Sequence, residues 1–265
     1  MSIFGFIGCG NMGGALATAV AKTGEKILLC DADVEKANAL ANALDATAVD
    51  LSTLVNGADY IFLGVKPQGF EGLFETLRPM LAKRSAAPVL VSMAAGVSVS
   101  AVEGMAGTDI PVIRIMPNTP VSVGEGMILY TYNKYVSKSA LEGFLKALAK
   151  AGRLDAIEEA KIDAASALSG CGPAFVYLFA EALADGAVEC GLARDKANLY
   201  AAQTLCGAAK LLLESGKHPG ELKDAVCSPG GTTIAGVHAL EECSFRAGAI
   251  NAVTAAYEKT LKLKK

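Results

Sequence analysis

Ile3-Phe4-Gly5-Phe6-Ile7-Gly8-Cys9-Gly10-Asn11-Met12-Gly13 joins a short hydrophobic run to a turn of the form G-x-G-x-x-G, with Gly14 beside it. Glycine-rich turns are common, and such a turn alone would also suit a purely structural bend. Here it follows a strand-like run, opens a helix-like segment and begins a strand–helix alternation, which is the setting of a dinucleotide-binding turn. Gly8 permits the tight turn, Gly10 lets the backbone approach a diphosphate, and Gly13 lets the helix pack closely on the strand. The diphosphate would lie on unpaired N–H groups at the positive end of the helix, with Ile7, Cys9, Asn11 and Met12 completing the set around it.

Outward from that stretch, strand-like runs recur at 26–30, 46–49, 60–65, 89–92 and 112–115. Helix-like segments at 12–22, 34–44, 51–56, 70–81 and 99–105 separate them. This alternation predicts an α/β fold, a doubly wound parallel sheet with helices on both faces. A run at 126–132, an amphipathic segment at 138–150 and a run at 154–157 would close the sheet edge. Past residue 157, Val and Ile give way to Ala, Leu and Gly, so the boundary is drawn there: 1–157 binds the dinucleotide and 158–265 is helical. Pro173 and Gly191 bracket one helix by their start and stop preferences. Its charges Glu181, Asp185 and Glu189, like Lys196, Gln203 and Lys210 on the next helix, form only a narrow polar stripe. Helices apolar on most faces must be buried on most faces, and a unit of about 105 residues has too little interior to hide both. The second domain is therefore expected to be a dimerisation domain.

Composition narrows the function. The 265 residues carry 24 Lys+Arg against 27 Asp+Glu, a net charge of −3, with 52% hydrophobic residues. That excludes a disordered chain and argues against a nucleic-acid partner. With only His218 and His238, no metal site is expected. Seven cysteines without a CxxC pair, and a start that runs straight into a strand, lead to the expectation of reduced thiols in a cytoplasmic protein. The uncharged stretch 164–180 approaches membrane-spanning length, but Gly170-Cys171-Gly172-Pro173 interrupts it. It is read as two buried helices joined by a turn, with no membrane partner.

Further candidates lie where strands end. Asp31 follows the second run, close to the ~20-residue spacing expected of a ribose-binding acid. A carboxylate there would accept from a 2′-hydroxyl and repel a 2′-phosphate, and Cys30-Asp31-Ala32-Asp33 holds no basic residue. The spacing thus leans toward NADH over NADPH, although Asp31 or Asp33 would serve equally as a helix cap. Gly64-Val65-Lys66-Pro67 follows the fourth run, where Lys66 could neutralise a phosphate or stand as a solvated charge. Met93-Ala94-Ala95 follows the fifth, its small residues admitting a nicotinamide ribose. In the second domain, Ser228-Pro229-Gly230-Gly231-Thr232-Thr233 offers several N–H groups and hydroxyls around one point, an anion pocket suited to a small carboxylate.

These blocks, with Met116-Pro117-Asn118-Thr119-Pro120, Leu168-Ser169-Gly170-Cys171-Gly172-Pro173-Ala174-Phe175 and His218-Pro219-Gly220-Glu221-Leu222-Lys223-Asp224, make the chain resemble the pyrroline-5-carboxylate reductases along essentially its whole length. The resemblance implies reduction of the cyclic imine 1-pyrroline-5-carboxylate to L-proline with NADPH or NADH, the last step of proline biosynthesis. It implies a Rossmann domain followed by a helical domain that interlocks with a second subunit, in some members within decamers. Asn118 joins the cofactor-binding set. Gly231, Thr232 and Thr233 would hold the substrate carboxylate by backbone N–H groups, with Ser228 and Glu159 also at the substrate. The Thr233 hydroxyl would lie by the ring nitrogen as the catalytic group. Cys171 stands where the family often has Ser, and Thr232 where Ala is common. The residues leave two alternatives. A reductase of the β-hydroxyacid dehydrogenase type would use a lysine near Lys161 and leave 228–233 without a role, and a dinucleotide-sensing regulator would bind without turnover.

Overall fold

The computed structural model describes residues 2–107 and 109–263; Met1, Thr108, Lys264 and Lys265 lie outside the described residues. The chain forms two compact units, residues 1–170 with 257–265, and residues 171–256. The first runs β1 (Ile3–Ile7), α1 (Asn11–Ala21), β2 (Lys26–Cys30), α2 (Val34–Leu44), β3 (Thr47–Ala48), α3 (Leu51–Gly57), β4 (Tyr60–Leu63), α4 (Phe70–Leu81) and β5 (Val89–Ser92). It continues with α5 (Val99–Ala106), β6 (Val112–Met116), β7 (Gly126–Tyr132), α6 (Lys138–Ala147), β8 (Gly152–Ala156) and α7 (Ile162–Ser169). The second holds α8 (Gly172–Glu189), α9 (Arg194–Ser215), α10 (Pro219–Ala225) and α11 (Thr232–Glu242), and α12 (Phe245–Leu263) begins in it. Compactness thus keeps α7 with the sheet, although the change of composition falls before it.

The eight strands lie in the order β3-β2-β1-β4-β5-β6-β7-β8. Pairing is parallel from β3 through β6, so the expected doubly wound core is present. The expectation of a wholly parallel sheet needs one correction, because β7 runs antiparallel to β6. The connecting residues 117–125 contain two prolines and a left-handed Gly124, and they are too few for a crossover back to the sheet's start. β8 then pairs parallel with β7 and forms the edge.

Alternation along β1 and β4 builds two cores. Phe4, Phe6, Tyr60 and Phe62 face α1 and α6, whereas Ile7, Ile61 and Leu63 face α3, α4 and α5. Phe4 stacks on Tyr60 at 4.6 Å and Phe6 on Phe62 at 4.5 Å between ring centroids. All three phenylalanines are essentially inaccessible, each contributing about 2–3 kcal/mol of burial. This rigid sheet aligns the strand ends, with Ile7 level with Cys30 and with Leu63, and Leu63 level with Ser92. The segments beginning at Gly8, Asp31, Gly64 and Met93 therefore leave the same edge, and strand order reverses between β1 and β4, the point where such sheets bind ligands.

In the second unit, α8 and α9 meet along a seam of small side chains, Ala184, Ala197 and Ala201, clasped by Arg194 Nη1 on Asp185 Oδ1 at 2.5 Å. The two helices expected to be buried on most faces bury only that seam within one chain. Tyr177, Leu178, Leu211 and Leu213 are more than half exposed.

Candidate active site

The glycine turn has the geometry its spacing predicted. Gly8 adopts φ +100°, and a Cβ there would sit 2.6 Å from the Gly64 carbonyl oxygen. A Cβ on Gly13 would strike the Gly8 carbonyl, so only glycine lets α1 start this close to β1. Gly10 is the opposite case, with nothing within 4 Å of its Cβ position. That open space faces the first turn of α1, whose N-cap has no side-chain bond and whose Asn11, Met12 and Gly13 N–H groups find no acceptor among the described residues. A cradle that side chains would fill, lined by unpaired donors at a helix start, fits a dinucleotide diphosphate. Met12 itself turns inward and packs on the core.

Asp31 and Asp33 hold different partners. Asp33 caps α2, accepting from the Lys36 N–H at 3.3 Å and pairing with its ammonium at 3.1 Å. Asp31 instead binds the Cys9 N–H through Oδ2 at 2.6 Å and the Asp33 N–H through Oδ1 at 2.9 Å. It thereby ties the end of β2 to the glycine turn. The Cys9 N–H expected to reach the cofactor is taken by Asp31. Burial, with the Asp31 carboxylate and Cys30 adding to it, pushes the Cys9 thiol up to about 11. It stays protonated at neutral pH. Lys66 is exposed, just before the short 3-10 turn Pro67–Gly69.

At the β5 edge Ala94 is buried and Ala95 is open. The Asn118 side chain serves the fold. Its Oδ1 accepts from the Met127 N–H at 2.8 Å, its Nδ2 donates to the Ser169 carbonyl at 2.9 Å and its carbonyl accepts from the Val121 N–H at 3.2 Å, which leaves its main-chain N–H for any cofactor contact. One oxygen of Glu159 is likewise committed, Oε1 accepting from the Val99 N–H at 2.7 Å and from Arg114 Nη1 at 3.0 Å. Arg114 also meets Asp163 Oδ1 at 3.4 Å. Sequence reading missed Arg114 and Asp163. The available signals were an arginine inside the apolar run of β6 and two acids four residues apart, on one helical face.

The loop before α11 forms a separate anion-binding shape in the second unit. Gly230 takes φ +67°, and the Gly231 N–H donates to the Ser228 carbonyl at 3.0 Å. That corrects one expectation, since this N–H is used inside the turn. The donors that remain are those of Thr232, Thr233 and Ile234, which have no acceptor among the described residues, and α11 has no side-chain cap. His218 caps α10 by accepting from the Gly220 N–H at 3.1 Å, and exposed His238 lies 3.4 Å from Glu242. Lys161 is exposed and paired with Glu158 at 3.2 Å. Among the described residues no cluster of three metal-ligating side chains occurs.

Residues 159–263 match the family model described as pyrroline-5-carboxylate reductase dimerisation, and residues 3–96 match that described as NADP oxidoreductase, coenzyme F420-dependent. The pyrroline-5-carboxylate reductase of Escherichia coli K12 is 40% identical over 266 residues, covering 98% of each chain. The solved pyrroline carboxylate reductase of Plasmodium falciparum, with NADP bound, superimposes with a TM-score of 0.87 at 32% identity, covering 100% of this chain and 98% of that one. The Coxiella burnetii enzyme does so with a TM-score of 0.91 at 30% identity, covering 100% and 99%. One stretch, Glu159–Glu189, is apolar and long enough to cross a membrane by length and composition alone. It coincides with the start of the dimerisation match and contains the break at Gly170-Cys171.

Proposed function

This chain belongs to the pyrroline-5-carboxylate reductase family and reduces 1-pyrroline-5-carboxylate to proline with a nicotinamide cofactor; on that premise we propose the roles of its own residues. The Asn11, Met12 and Gly13 N–H groups take the diphosphate, Asp31 faces the adenosine ribose, and Gly64–Pro67 with Met93–Ala95 line the remainder. The main-chain N–H groups of Thr232 and Thr233 hold the substrate carboxylate, with Ser228 fixing the turn behind them. When bound, the reduced cofactor supplies a hydride to the imine carbon. The protein's remaining task is a proton at the ring nitrogen, which the Thr233 hydroxyl relays. The reaction asks for positioning and one proton donor, with no covalent nucleophile.

The uncapped first turn of α11 carries this assignment. Three unpaired N–H groups behind two hydroxyls suit a carboxylate whose neighbouring nitrogen needs a proton. Mixing the protein with the imine and NADH or NADPH should consume reduced-nicotinamide absorbance only when the imine is present, and no consumption with either cofactor would overturn the assignment.

Finer features follow from the same residues. The Asp31 carboxylate favours NADH, although the Plasmodium relative holds NADP. The functional boundary lies at 157/158, the second part forming at least a homodimer. Seven cysteines without a disulfide suit the cytoplasm.

A further inference from the structure

Arg114 sits in the middle of β6, level with Ser92 of β5 on one side and Thr131 of β7 on the other, and its side chain is 4% exposed. A buried guanidinium is retained where its charge and donors are met. Here Nη1 and Nη2 reach Glu159 and Asp163 on the segment after β8, while Nε is buried without a partner among the described residues. The same Glu159 oxygen that takes Nη1 also takes the Val99 N–H, the first of α5. The Ser98 hydroxyl accepts from the Ala101 N–H, so two of the orphan donors at this helix start are met by different side chains. Between these fixed points runs the loop from Met93 to Ser98. Its upstream end is anchored at Ser92, beside Arg114, and its downstream end at Val99, on Glu159.

We propose that Arg114, Glu159 and Asp163 form a buried clamp that sets the position of the 93–98 loop, making Glu159 a positioning residue for the nicotinamide end of the cofactor rather than a substrate ligand. The proposal rests on the reading that Met93–Ala95 contact the cofactor. Ala94 is buried and Met93 and Val97 pack on the two cores, but Ala95 and Gly96 between them are open and rely on the loop's ends for their position; a shift of about 1 Å at a reacting centre can cost about a hundredfold in rate. Glu159 lowers that freedom by holding the α5 start, where a carboxylate is also favoured by the helix dipole.

Two variants isolate the clamp. Glu159→Ala removes the acceptor from both Arg114 and Val99. Val99→Pro removes the Val99 donor while leaving Glu159 and Arg114 paired, at the expense of some packing where Val99 is buried. Proline suits the first position of a helix, and Ser98, at φ −76° and ψ 163°, already has the extended conformation required before proline. Binding of NADH and NADPH without substrate is followed by cofactor fluorescence, and steady-state kinetics are measured on the same samples after circular dichroism has shown them folded. Glu159→Ala should raise the cofactor Kd at least tenfold and Val99→Pro at least threefold, with kcat lowered and the substrate KM within twofold. Glu159→Gln keeps an acceptor oxygen and should stay within threefold of the parent. A raised substrate KM with unchanged cofactor Kd in Glu159→Ala would overturn the proposal and return Glu159 to the substrate. If that variant does not fold, an unchanged Kd in Val99→Pro overturns it. Ala95→Leu separates the two layers. If it leaves cofactor binding intact, the loop does not contact the cofactor and the clamp falls with that reading; if it weakens binding while both clamp variants bind normally, the clamp alone is wrong.

Discussion

Replacing Asp31 by Ser should move cofactor preference toward NADPH by about 30- to 150-fold in the ratio of kcat/KM values. Both carboxylate oxygens are held, by the Cys9 and Asp33 N–H groups, so the negative charge cannot swing away from a 2′ substituent. At roughly 5 Å and an effective dielectric of about 40, two unit charges repel by about 1.7 kcal/mol. A phosphate of about −1.5 to −2 multiplies this, and screening with a Debye length of about 8 Å roughly halves the product. About 1.5 kcal/mol leaves NADPH's penalty, and loss of a charged hydrogen bond to the 2′-hydroxyl takes a similar amount from NADH. The sum of about 2–3 kcal/mol gives the stated ratio. The substitution also strips the Cys9 N–H of its acceptor and loosens the glycine turn. That loss strikes both cofactors alike, so both kcat/KM values fall while the ratio isolates the charge. Initial rates with each cofactor at saturating imine, over a range of cofactor concentrations, measure it. If both values drop and the ratio stays put, Asp31 only pins the turn and the electrostatic reasoning is refuted.

Thr233→Ala should lower kcat by about ten- to a hundredfold with little change in substrate KM, because the carboxylate donors are main-chain groups, and Thr233→Ser should recover most of the rate; a raised KM with normal kcat would reduce Thr233 to a positioning role. Gly10→Ala should leave the thermal midpoint unchanged yet weaken cofactor binding at least tenfold, whereas Gly13→Ala should lower the midpoint as well, and calorimetry with cofactor titration separates them. Light scattering should return at least twice the 27.1 kDa chain mass, and a Leu178→Glu, Leu213→Glu double variant should shift the population toward single chains. Cys9, with its thiol pushed up to about 11, should alkylate far more slowly at pH 8 than exposed Cys171 and gain rate steadily as pH approaches 11; equal rates at pH 8 would show the Cys9 thiol is not protected.

The nucleotide half was legible because its determinants are local. Gly8, Gly10 and Gly13 sit within six residues, and each demand on them, a positive φ, an open surface and a close packing contact, leaves a glycine in the chain. The strand runs announced themselves by β-branched and aromatic residues, and the helices at Val34–Leu44 and Phe70–Leu81 fell where periodicity put them. The reversal of β7 was not seen because a run such as Gly126–Tyr132 has the same composition in either direction. Only the shortness of 117–125 decides it. The α8 and α9 stripes announced burial, but composition does not say against what, and within one chain most of that surface stays exposed.

Functional side chains were less legible, for a reason visible in their partners. Glu159 meets groups 60 and 45 positions away in sequence, and Asn118 reaches Ser169, 51 positions on. Such pairs depend on strand order and register, which no local pattern encodes, so both residues could be flagged as important while these protein partners stayed out of sight. Gly231 fails differently. Glycine at a helix start signals exposed N–H groups, but its own N–H closes the turn on Ser228, and the exposed donors lie one to three residues further along. A motif therefore locates an anion site to within a residue or two, while the hydrogen bonds already present decide which donors remain. The same distinction applies at Cys9, whose place in the glycine turn suggested a phosphate donor until Asp31 was found on it. In both halves of the molecule the groups left for ligand are those that the fold has not already paired, and these can be counted only once the backbone is in place.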